Sequence, residues 1–145
     1  MRKQKVHKIN NPLKQVILTA LLFMLFGTAL ELYLLNHFED IEQLIPLICI
    51  AISIVFIFLL FFKKSDGLVH IFKLVLAITA LSGIYGAFLH LRANYEFELE
   101  MRPTANGWSL FLESMSGALP ALAPCSMIVL ALIGYSYLIL LKKQK

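Results

Sequence analysis

The stretch "LIPLICIAISIVFIFLLFF", residues 44–62, decides the fold. It holds nineteen residues and no charge. A helix rises about 1.5 Å per residue, so roughly 20 apolar residues cross a hydrocarbon layer about 30 Å thick. Three more runs of this kind surround it. Residues 16–35 are broken only by Glu31, and residues 68–91 carry His70 and Lys73 at one end and His90 at the other. Residues 118–141 are uncharged. Hydrophobic residues make up 59% of the 145-residue chain and charged residues 15%, too apolar a balance for a soluble domain of that size. The expectation is an all-α polytopic membrane protein of one domain, residues 1–145, with spanning helices at about 14–37, 44–63, 68–92 and 118–141.

The first run is not read as a cleaved leader. It is long for one, and it is followed by "NHFED", not by small residues. Asn11 and Pro12 resemble a helix start, with Pro at the first helical position. Charge sets the expected orientation. Eleven of the thirteen basic residues fall in the tail before the first run, around the 63–67 turn, or after the fourth run. Only Arg92 and Arg102 lie on the other side, with eight of the nine acids. By the positive-inside rule both termini face the cytoplasm. The basic ends fit an anionic lipid surface and call for no nucleic acid.

The long connection, residues 92–117, reads "RANYEFELEMRPTANGWSLFLESMSG". Its first half alternates like a strand but also stacks Arg92, Glu96 and Glu100 at helical spacing, with Glu98 placed to pair with Arg102. Helix is preferred because nothing breaks the third run before "RPTANG". Its second half predicts a short amphipathic cap helix with Trp108 at the membrane interface. Pro120 and Pro124 predict an interrupted entry into the fourth span. Thr79 with Gly83 and Ser82 with Gly86 give small residues at four-residue spacing, which suits close packing inside the bundle.

Ionisable groups converge on the acidic side. Glu31 sits inside an apolar run, where a carboxylate is costly and therefore a functional candidate. His37 follows at the membrane edge, with Asp40 three residues on. His90 ends the third run at matching depth, and Asn94 and Glu98 share its helix face. Glu113 interrupts the apolar "LFLESM". Glu31, His37, Asp40, His90, Asn94, Glu98 and Glu113 are thus the candidate ligand-binding residues. Imidazoles with carboxylates suit Zn, Mn or Fe, and His37, His90 and Glu98 are the metal-ligating candidates. The spacing matches no HExxH motif. Haem between His37 and His90 lacks evident propionate contacts. Cys49 and Cys125 form no CxxC and read as small buried hydrophobes, though similar depth leaves a pair or a soft metal site open.

No P-loop, dinucleotide fingerprint or GxSxG occurs, so no enzyme class is indicated. Two functions fit: a site on the acidic side for a cation or small polar ligand, and a non-catalytic accessory subunit or homo-oligomer in the membrane. A conducting path would need polar residues, and the second and fourth runs hold almost none within the core. The motifs "ELYLLNHFEDIEQLIP" (31–46), "HLRANYEFELEMRP" (90–103) and "GALPALAP" (117–124) resemble a group of small bacterial four-helix membrane proteins of unassigned function. That resemblance carries no ligand. It implies the bacterial inner membrane as location, with the acidic side and its cap periplasmic.

Overall fold

The computed structural model describes residues 12–142. His7, Asn11 and most of the basic tail lie outside them. The chain is all-α: α1 Pro12–Leu34, α2 Ile41–Phe62, α3 Asp66–Met101, α4 Gly107–Met115 and α5 Ser126–Lys142. A 3-10 turn, Ala123–Cys125, leads into α5. Four helices are long and apolar enough to cross a membrane, the fourth counted from the 3-10 turn. Their outward faces agree. Phe23 is 76% exposed and Leu132 63%, one of many large apolar side chains that would aggregate in water and that lipid would solvate.

α1 packs on α2 and α5, and α3 packs on the same two, so the spans form a square with α1 and α3 at opposite corners. Leu21, Leu25, Ile50, Leu60, Phe72, Leu76, Leu130 and Leu138 fill the centre. Phe56 of α2 stacks on Phe72 of α3, centroids 5.6 Å apart. The small residues of α3 serve packing within the chain. A Cβ on Gly83 would lie 2.7 Å from the Pro124 carbonyl oxygen, and one on Gly86 would lie 2.9 Å from the Pro124 Cβ. On α5, Gly134 admits Leu76 in the same way.

α3 begins at Ser65, whose Oγ accepts from Leu68 N at 3.2 Å. It runs 36 residues, about 54 Å, far beyond the roughly 30 Å of a hydrocarbon layer. The helix reading of residues 92–101 therefore holds against the strand alternative. Arg92 and Glu96 pair along its surface at 2.7 Å. The chain then turns, and α4 starts at Asn106, whose Oδ1 accepts from Ser109 N at 2.8 Å. α4 folds back on α3, with Leu110 and Ser114 buried and Trp108 exposed.

The fourth span starts later than its sequence suggests. A helix from residue 118 is expected, yet the backbone is irregular until the 3-10 turn and α5 begins at Ser126. Pro120 and Pro124 supply no N–H for a helix ladder, which accounts for the delay. Packed along α3, this irregular stretch finds partners there for the backbone of Leu119 and Pro120, the kind of protein pairing that lets such backbone persist at membrane depth. α1 stops three residues short of expectation, at Leu34.

Candidate functional site

The end of α1 fixes the first site residue. Asn36 has φ +52°, the one non-glycine residue with positive φ among the described residues. His37 N donates to Leu32 O at 2.8 Å and Asn36 N to Tyr33 O at 3.1 Å. Together these form a Schellman closure, with Asn36 in the left-handed position that glycine or asparagine favours. The reversal swings His37 inward over the end of the helix it follows. α2 then starts at Asp40, whose carbonyl accepts from Gln43 and Leu44 while its side chain makes no capping bond.

His90, on α3, meets His37 across the bundle. The ring centroids are 6.2 Å apart and nearly perpendicular, with an interplanar angle of 71°. His90 Nδ1 lies 3.1 Å from the carbonyl oxygen of Pro120. A carbonyl only accepts, so Nδ1 carries the proton and Nε2 of the neutral ring is the acceptor. Burial, and after it the charge of His90, lowers the His37 pKa below the ordinary imidazole value of 6.5. A second positive charge on this pair is therefore disfavoured.

The two imidazoles stand in a cleft of about 590 Å³ at the acidic end of the bundle. It exists because α5 begins late, so one corner of the square is occupied by thin, irregular chain. Glu31, Asp40 and Glu42 also line it, with the hydroxyl residues Thr28, Ser82, Tyr85 and Ser126. The rest is mainly apolar, including Leu32, Leu35, Ile45, Pro46, Leu89 and Met127. Four candidates, Glu31, His37, Asp40 and His90, are thus brought together.

The other three lie elsewhere. Asn94 is only 4% exposed and uses its whole amide as a staple. Its Nδ2 donates to Ser114 O at 2.9 Å and Leu119 O at 2.7 Å, and its Oδ1 accepts from Leu119 N at 2.9 Å. Gly117 lets the chain pass: a Cβ there would sit 2.5 Å from Asn94 Cγ. Glu98 and Glu113 both bind Arg102, at 2.6 and 2.7 Å, through its two terminal nitrogens. Hydrogen bonding by Glu113 and then Glu98 raises the Arg102 pKa, and the same bond holds Glu113 below the ordinary carboxylate range. Arg102 clamps α4 to the end of α3. Among the described residues, no three His, Cys, Asp or Glu side chains gather closely enough to hold a metal ion. Cys49 and Cys125 are free thiols.

Sequence reading missed Asn36 and the staple made by Asn94. The first had a signal, an asparagine just past an apolar helix. The second had none, since its partners lie 20 and 25 residues away. Compared with protein-family models, curated proteins and solved structures, the chain matches none.

Proposed function

We propose that this protein is a small membrane protein whose cleft at the acidic end binds a small ligand. The observation that carries this is the cleft itself. At about 590 Å³ it falls within the size range of ligand sites, roughly 300–1,000 Å³, and its mainly apolar walls bear a few convergent polar groups. His90 offers its acceptor Nε2 to an occupant, and the neutral His37 ring offers one donor and one acceptor nitrogen. Glu31, Asp40 and Glu42 offer charge. By the distribution of basic residues, the cleft opens on the side away from the cytoplasm, the periplasm if the membrane is the bacterial inner membrane.

The test is thermal unfolding of the full chain in a non-ionic detergent, with zinc chloride, spermidine, tetraphenylphosphonium and decanoate added in turn. Ala93 lines the cleft from an exposed position on α3, so Ala93→Trp obstructs it at little cost to the core. At least one compound is expected to raise the melting temperature of the parent protein and not that of Ala93→Trp. If none separates the two proteins, the cleft is not a ligand site.

A further inference from the structure

We infer that the occupant of the cleft is a lipophilic cation: an apolar body carrying one delocalised or tertiary positive charge. This rests on the cleft being a ligand site and adds the chemistry of what enters it. Three carboxylates line the cleft, Glu31, Asp40 and Glu42, and among the described residues no lysine or arginine does. The two guanidiniums at this end of the molecule are engaged elsewhere, Arg92 on Glu96 and Arg102 on Glu98 and Glu113. Neither neutralises the cleft. His37 adds little positive charge to it, because burial, and after it the charge of His90, disfavours its protonated form.

The walls argue the rest. Leu32, Leu35, Ile45, Pro46, Leu89 and Met127 hold no charge and offer no hydrogen bond from their side chains. A small hydrated ion would gain nothing from them and would lose water. An apolar body gains roughly 25 cal/mol for each Å² it removes from water. Tyr85 adds an aromatic ring to the lining, a surface that attracts cations without demanding a directional bond. A fatty anion fits the walls and is repelled by the three carboxylates.

Tetraphenylphosphonium and tetraphenylborate have the same shape and opposite charge, so they separate the two parts of the inference. Binding is measured by equilibrium dialysis against the full chain in non-ionic detergent, with Ala93→Trp as the baseline for uptake by the micelle. Tetraphenylphosphonium is expected to bind at least tenfold more tightly than tetraphenylborate. The combined variant Glu31→Gln/Asp40→Asn/Glu42→Gln should remove at least tenfold of that affinity. Glu31→Gln alone serves if the triple variant does not fold, with a loss of threefold or more. Equal binding of the two ions, both abolished by Ala93→Trp, overturns the charge inference and leaves the ligand site standing. Binding that Ala93→Trp does not change overturns both.

Discussion

At the scale of single residues, two asparagines place the functional groups. Asn36 holds a left-handed conformation that costs an ordinary L-residue about 1–2 kcal/mol. Asn36→Ala should lower stability by about 1 kcal/mol, and Asn36→Gly should not, when both are compared by denaturant unfolding in detergent. Equal loss in both variants would show that the amide side chain, not the backbone, is what matters. Asn94→Leu removes three bonds at once and strands the buried Ser114 carbonyl and the partly buried N–H and carbonyl of Leu119. Each stranded group costs about 1–3 kcal/mol, so a loss of roughly 3 kcal/mol is expected. His37 gives a pH dependence whose sign is fixed. Its folded pKa is lowered, so the unfolded chain takes up a proton first. Stability therefore falls as the pH drops below 6.5 and levels off once it is below the folded value. In His37→Asn that slope should vanish from melting curves recorded between about pH 7.5 and 5.

At the scale of elements, the cap is what α3 carries beyond the apolar layer. α4 is held by a salt-bridge clamp at Arg102 and by the Asn94 staple. The protein has a single tryptophan, Trp108, and it lies in α4, stacked on Phe111 with centroids 5.6 Å apart. Fluorescence anisotropy of Trp108 therefore reports cap mobility. The Glu113 carboxyl is held below its ordinary value of 4.5, so its contribution is present above that pH and lost as the pH falls through the lowered value. Anisotropy should drop in that acid range, and Glu113→Gln should show the lower anisotropy already at pH 7. An unchanged signal would mean the staple alone holds α4. Much of this element was legible beforehand. The Glu98–Arg102 pair followed from helical spacing, and the stop after Met101 followed from "RPTANG". The partnership of Arg102 with Glu113 was not legible, because it depends on the direction in which α4 folds back.

At the scale of the whole molecule, four apolar runs gave the number of spans without any structure. Periodicity within them did not give their neighbours: helices apolar on all sides carry little directional information, and the small residues of α3 alone marked a contact face. The opposition of His37 and His90 was suggested by matching depth, but the enclosing cleft was not. It arises from where α5 fails to begin. The topology makes its own prediction. In sealed membrane vesicles of one orientation, and in a background lacking Cys49 and Cys125, a membrane-impermeant maleimide should label Thr104→Cys and Lys64→Cys from opposite sides. Labelling of both from one side would contradict the four-span arrangement.

The Asn94 staple also bears on how the chain is made. Synthesis runs from the N-terminus, so α3 emerges before the residues that satisfy this amide. Leu119 follows 25 positions later. Until then Asn94 must be hydrated, which an amide buried in lipid could not be. The overhang of α3 resolves this, because the residue stands near the end of a helix too long for the bilayer and waits where water reaches it. The cap thus closes last, after α5 has entered the membrane and drawn Leu119 against α3. A chain arrested before that step would lack the wall that Ala118, Leu119 and Pro120 give the cleft, and a protease should cut it between α3 and α4.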